Sequence, residues 1–180
     1  MSRVPYPTRE QYPQDFVSTY DRMLNERGNP PLHIFLALAN IPNLLAPLLS
    51  FTKEMREDAA VDAKLRELAI TTVGSVTGAQ YEFNHHWNSA IAAGLRREQL
   101  EQLASFETSN EFDDRERAVI RYAREATLQI EVSDAAWSDL RSHLGLRETM
   151  DIVVAVAWYN AVVRMLIPLQ IQMEDWFHRA

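Results

Sequence analysis

Residues 65–95 decide the fold, and they read LRELAITTVGSVTGAQYEFNHHWNSAIAAGL. Two helices are predicted here, because apolar residues recur at helical spacing and a glycine follows each segment. The first helix is expected from Asp62 to about Thr77, and the second from Ala79 to Ala93. Gly78 and Gly94 suit the left-handed residue that often ends a helix. The stretch therefore predicts two helices joined by a tight turn.

The rest of the chain extends this helical pattern on both sides. The sequence has only five glycines, and seven of its eight prolines precede residue 48. Because little interrupts the later part, we predict an all-α fold, with one domain over 14–180 after an N-terminal arm at 1–13. The remaining helices are expected at about 14–26, twice within 32–55, and at 97–106, 113–128, 133–143 and 147–166. Pro47 is expected in the first turn of a helix begun near Asn43. The tail that carries Trp176 and Phe177 is compatible with a further short helix.

Composition excludes several kinds of chemistry. The chain has 180 residues, a formal net charge of −7 and no cysteine. Without sulfur there can be no thiolate nucleophile, cysteine-bound zinc or iron–sulfur cluster. The acidic balance argues against a nucleic-acid partner. The first residues lack the pattern of a signal peptide, so we expect a cytoplasmic protein.

The segment 152–169 is apolar on nearly all sides. Asn160, Arg164 and Pro168 interrupt it and no basic flank orients it, so we expect no membrane span. A helix without a polar face is usually buried all round. In a chain of this size, burial against a second copy is the simplest solution, and we therefore predict a homo-oligomer.

The polar face of the second helix carries the candidate chemistry. It presents a carboxylate, a phenol, two imidazoles and two small polar groups, namely Tyr81, Glu82, His85, His86, Asn88 and Ser89. A face without Lys or Arg is better explained by a half-buried pocket than by a solvated surface. Glu82 and His86 are four residues apart, so the carboxylate can hold the imidazole in one tautomer and raise its proton affinity. The alternative is a hydrogen-bonded helix face without a catalytic role.

Glu67 adds a second carboxylate on the preceding helix. No charged residue separates it from Glu82, and small residues follow it along its own stripe. This pattern favours a Glu67 that is packed against another element. The alternative is an exposed glutamate near a helix N-terminus, where the helix dipole favours it.

The sequence gives little support for a metal site, a hydrolase site or a nucleotide site. Glu82 and His85 have the Glu-x-x-His spacing of dinuclear carboxylate sites, but the required second pair is absent. A single metal ion held by Glu67, His85 or His86 stays open as an alternative. The sequence has no Gly-x-Ser-x-Gly elbow and no glycine-rich phosphate loop. We expect no cofactor and a small-molecule substrate.

The sequence resembles the carboxymuconolactone decarboxylase family, which is related in fold to alkylhydroperoxidase D. Residues 65–95 are similar to the family's Arg-Glu-Leu helix, its Tyr-Glu-Trp-x-x-His helix and its closing Ala-Gly-Leu. The likeness extends through DRERAVIRYAREAT, VSDAAWSDLRSHLG and the region from Tyr159 to Arg164. It implies an alkylhydroperoxidase D-like helical subunit that assembles into dimers, trimers or hexamers.

The resemblance also implies roles for individual residues. Glu67 matches the family's first glutamate, Tyr81 and Glu82 match the Tyr-Glu pair, and His86 matches the histidine four positions later. These four are the candidate catalytic residues, while His85 and Arg164 are candidates for binding the substrate. Loss of carbon dioxide from a γ-carboxy lactone needs stabilisation of negative charge and a proton for carbon. On this resemblance Tyr81 and His86 would donate to the oxyanion, and Glu82 or Glu67 would supply the proton.

The sequence departs from the family in ways that bear on activity. In the alkylhydroperoxidase branch, two cysteines stand where this chain has Ala79 and Glu82. Thiol peroxidase chemistry is therefore excluded. Phe83 replaces the usual Trp, and His85 is an addition. Two hypotheses follow: a cofactor-independent acid–base decarboxylase, or a non-catalytic oligomeric binding protein of the same fold.

Overall fold

The computed structural model describes residues 2–180. It is 69% helical with no strand in that range, so the all-α prediction is confirmed. The helices are α1 (Val17–Arg27), α2 (His33–Leu38), α3 (Pro42–Glu57), α4 (Ala63–Thr77), α5 (Gln80–Ala92), α6 (Arg97–Glu101), α7 (Asp114–Leu128), α8 (Asp134–His143) and α9 (Leu146–Leu169). Short 3-10 helices lie at Arg9–Gln11, Gln14–Phe16 and Leu103–Ser105.

Contacts divide the chain into two compact units. One contains the residues up to Glu57 together with Leu166–Phe177, and the other contains Asp58–Met165 with His178–Ala180. In the first unit, α3 packs against α1 and α2, and Leu45 and Leu49 are fully buried. The arm at 1–13 and the single domain at 14–180 stay a prediction.

Helix α4 is the central element of the second unit. It packs against α5 and α7, and α8 packs against α7. All ten residues from Leu65 to Gly74 are buried, so no side of this segment faces solvent. A charged residue in such a helix needs a partner, because an unpaired buried charge is costly.

Local sequence explains the tight pairing of α4 with α5. The Asp62 side chain accepts a hydrogen bond from Leu65 N–H and caps α4. Gly78 closes the helix with a left-handed φ of 69°. A Cβ at Gly74 would lie 2.9 Å from the backbone nitrogen of Phe83, so only glycine permits this approach. These features fix α5 beside α4.

The prolines and the tail differ in detail from the expectations. Helix α3 already begins at Pro42, so Pro47 lies beyond the first turn. Pro168 falls within the last turn of α9, which ends one residue later. Residues 170–180 form no helix, and residues 178–180 contact α5 through hydrogen bonds.

Helix α9 is long and apolar enough to cross a membrane by length and composition. Its mean hydropathy reaches 1.8, and 39% of its most apolar window is buried. Its outward face carries Leu146, Met150 and Val154, which are 64%, 44% and 38% exposed. This face is exposed within one chain, so burial of the helix against a second copy stays a prediction.

Candidate functional site

Two glutamates and one histidine meet between α4 and α5. His86 Nδ1 lies 2.6 Å from Glu67 Oε2, and His86 Nε2 lies 3.0 Å from Glu82 Oε1. Glu82 and His86 come together because they are one turn apart on α5. Glu67 reaches them from α4, and Gly74 allows α4 to approach α5 closely. We call these three residues the Glu-His-Glu triad.

The triad is buried. Glu67 and Glu82 are 5% and 4% exposed, and the His86 side chain is 14% exposed. Of the two interpretations of Glu67, the structure therefore matches the packed glutamate. Burial by itself lowers the pKa of His86, but the two adjacent carboxylates outweigh it and raise this pKa to about 10. At neutral pH His86 is an imidazolium, and each ring nitrogen carries a proton.

The two carboxylates hold His86 differently. The Nδ1–H donates a hydrogen bond to Glu67. Glu82 Oε1 lies at contact distance from Nε2, yet it is buried and accepts no well-aligned hydrogen bond within the described chain. Its contact with His86 is therefore mainly electrostatic. A donor group on a bound molecule could use this oxygen, because buried acceptors are normally satisfied.

Two further residues border the triad, and sequence reasoning missed both. The Tyr159 ring on α9 packs edge-on against His86, with ring centroids 4.6 Å apart. The Arg66 side chain is buried, and its Nε lies 3.9 Å from Glu67 Oε1. A charged residue directly before Glu67 in a buried helix was an available signal for Arg66. The sequence around Tyr159 does not indicate which helix α9 packs against.

The other candidate residues lie beside the triad or away from it. The Tyr81 ring packs against the ring of His85, with centroids 4.6 Å apart. Arg164 is exposed and donates to the carbonyl and side-chain oxygens of Asn160, both at 2.7 Å. Asn160 in turn donates to Thr127. The contacts of Arg164 are thus with its own helix.

Within residues 2–180, no group of three or more His, Asp or Glu side chains is arranged to hold a metal ion. The triad itself is arranged as an ion pair, with His86 Nδ1–H donating to Glu67 and Nε2 lying 3.0 Å from Glu82 Oε1. Two surface cavities of about 390 and 400 Å³ lie elsewhere, one beside Tyr6 and His33 and one beside Phe106 and Arg121. Neither is lined by a member of the triad.

The comparisons agree with this architecture. Residues 42–125, which include the triad, match the model of the Carboxymuconolactone decarboxylase family. A search among curated proteins gave no significant match. The chain is similar to the solved structure of an alkylhydroperoxidase AhpD core, an uncharacterized peroxidase-related protein from Ralstonia eutropha JMP134. That likeness has 20% identity and a TM-score of 0.82, over 97% of this chain and 93% of the other.

Two more solved structures share the fold. A peroxidase-related protein from Silicibacter sp. TM1040 is 18% identical, with a TM-score of 0.82 over 98% of this chain and 94% of the other. The debrominase Bmp8, solved with 2,3,4-tribromopyrrole, is 17% identical, with a TM-score of 0.81 over 97% of this chain and 95% of the other. At these identities the likeness establishes an AhpD-like fold alone.

Proposed function

We propose that this protein is a cofactor-independent acid–base enzyme of the carboxymuconolactone decarboxylase type, because residues 42–125 match the model of that family. Its substrate would be a small lactone or a related carboxylate, and the reaction would be a decarboxylation. The observation that supports this proposal is the buried imidazolium of His86 between two carboxylates. A protonated base in a site shielded from water is suited to deliver a proton to a substrate.

In the proposed reaction, the triad supplies a proton and orients its donor. The bond between the substrate carbon and its carboxylate breaks, carbon dioxide leaves, and the electron pair passes into the conjugated lactone as a dienolate. His86 gives its Nε2 proton to carbon, and solvent returns one. Glu67 keeps the ring oriented through the Nδ1–H bond. This assigns the proton donor to His86 rather than to a glutamate, since the raised pKa keeps His86 charged at neutral pH.

The remaining candidate residues have supporting roles in the proposal. Tyr81 would donate to the developing oxyanion, and its ring partner His85 would line the substrate site. Arg66 is a second candidate, besides Arg164, for the cation that holds a substrate carboxylate, because it is buried beside Glu67. A homo-oligomer in the cytoplasm, without nucleic-acid or membrane partners, completes the proposal.

The test is an ultraviolet assay with 4-carboxymuconolactone. We expect turnover by the wild type and at least a ~100-fold loss in His86→Gln and in Glu82→Gln, the usual scale for acid–base groups. His143→Gln is the matched control, since His143 lies on α8 beside Asp139. If His86→Gln kept turnover within a few-fold of wild type, His86 would not be the proton donor.

A non-catalytic binding protein is the second candidate. It is supported by the burial of the triad, whose two glutamates are 5% and 4% exposed. In that case Glu67, Glu82 and His86 form a structural ion-pair network. Absence of turnover, together with a loss of folding stability in His86→Gln, would favour this reading over the enzyme.

A further inference from the structure

Residues 178–180 lie against α5 through a paired contact with one side-chain amide. Asn88 Nδ2 donates to the carbonyl oxygen of His178 at 2.8 Å. The backbone N–H of Ala180 donates back to Asn88 Oδ1 at 2.7 Å. One amide therefore satisfies the backbone on both sides of residue 179, and neither bond depends on the side chains at 178 and 180.

Trp87 supplies a second contact surface for the same segment. Its Nε1–H donates to the carbonyl oxygen of Ala180 at 2.9 Å. The Arg179 guanidinium lies 4.4 Å from the centre of the indole ring and donates to Asn84 Oδ1 at 3.3 Å. Trp87 is 1% exposed. A cation over a buried indole is a favourable contact of this type.

These contacts lie on the side of α5 that is turned away from the triad. At 100° per residue, Asn84, Trp87 and Asn88 fall on one face, roughly opposite Glu82 and His86. Asn88 therefore does not share the face of Glu82 and His86, contrary to the expectation from the sequence. Helix α5 is thus held by α4 through Gly74 on one side and by residues 178–180 on another. Neither end of α5 adds a side-chain anchor of its own at Ala79 or Ala93.

We propose that His178–Ala180 form a clamp that fixes the rotation of α5, and that Asn88 is the positioning residue through which the clamp holds His86 against Glu67. A helix of 13 residues depends on tertiary packing for its order. The His86–Glu67 bond of 2.6 Å tolerates little rotation of the helix. Asn88 acts through the helix and touches no reacting atom. The clamp stands on these contacts alone, while its effect on turnover rests on the proposed function.

The test follows the ring N–H protons of His86 by NMR in the full chain and in variants. In the wild type we expect a slowly exchanging Nδ1–H resonance. In Asn88→Ala, and in a chain ended after Phe177, exchange of this proton should be at least ~10-fold faster, while far-ultraviolet circular dichroism stays unchanged. Asn88→Asp keeps the acceptor for Ala180 N–H and should be intermediate.

His178→Ala is the matched control, because only the backbone carbonyl of His178 is used. If the shortened chain does not fold, Asn88→Ala and Arg179→Ala carry the test. A folded Asn88→Ala protein with wild-type exchange at His86 overturns the clamp. Loss of protection in a protein without lactone turnover would contradict the proposed function and still support the clamp.

Discussion

At the scale of single residues, the site depends on the balance between desolvation and ion pairing at His86. Burial disfavours the charged ring, whereas Glu67 and Glu82 favour it, and the second effect is larger. Sequence spacing predicted the Glu82–His86 pair because both residues lie on one helix. The contact with Glu67 required α4 and α5 to pack, and the resemblance rather than the spacing suggested it. Arg66 is adjacent to Glu67 in the sequence, whereas Tyr159 joins through a tertiary contact that no local pattern encodes.

Removal of either carboxylate should lower the pKa of His86. We expect Glu67→Gln and Glu82→Gln each to lower it by about 1–3 units, the usual effect of one close opposite charge. The larger drop should follow Glu67→Gln, because Glu67 also accepts the 2.6 Å hydrogen bond. An NMR titration of the imidazole checks this, with the exposed Glu101→Gln on α6 as control. A pKa unchanged in both variants would show that the carboxylates do not hold the proton.

The same pairing makes stability depend on pH. The pKa of His86 is raised from 6.5 to about 10 in the folded state, so the folded protein binds this proton more tightly than the unfolded chain. Its stabilising contribution is fully present below pH 6.5 and is lost as the pH rises through about 10. The difference in unfolding free energy between wild type and His86→Gln, measured in urea, should therefore shrink from pH 6 to pH 10. A constant difference over that range would contradict the assignment.

At the scale of helices, the pairing of α4 with α5 determines the site. The boundaries of both helices were predictable, since Asp62 and Gly78 carry capping signals at the ends of α4. The burial of α4 on two sides was not predictable from the sequence. A stripe of apolar residues indicates one packed face of a helix and does not reveal a second neighbouring helix. The contacts of residues 178–180 were equally invisible, since they use mainly backbone atoms and the Asn88 amide.

Gly74→Ala tests the close approach of these helices. Alanine is favoured over glycine within a helix by about 1 kcal/mol. At this position, however, the added Cβ would meet the Phe83 backbone at 2.9 Å, so the helices must separate. We expect a net destabilisation of about 1–3 kcal/mol by urea unfolding, the range for overpacked sites. Gly145→Ala is the control, because its Cβ meets only the flexible Glu148 side chain. A Gly74→Ala protein as stable as wild type would argue against tight packing here.

At the scale of the whole molecule, the outward face of α9 is an exposed apolar surface. Leu146, Met150 and Val154 follow one another at helical spacing and are all exposed. Exposed apolar stripes of this kind usually mark an interaction surface. The sequence predicted the apolar character of α9 and a homo-oligomer, but a pattern along one helix does not specify which copy or element covers it.

A charge on this face should weaken self-association. We expect the wild type to sediment as an oligomer in analytical ultracentrifugation, and Val154→Glu to shift it toward monomer, because a buried unpaired carboxylate is costly. Ser142→Glu, at an exposed position of α8, should leave the distribution unchanged. A wild type that sediments as a monomer at all concentrations would contradict the prediction of a homo-oligomer.

The most direct test of the central claim is the titration of His86 in the wild-type protein, followed by NMR and assigned by the signal that His86→Gln removes. The chain has five histidines, so this assignment is practical. The triad predicts that the His86 ring stays protonated from pH 5 to pH 8 and loses its proton near pH 10. A transition near pH 6.5 would contradict the account, because His86 could not then be an imidazolium held between Glu67 and Glu82 at neutral pH.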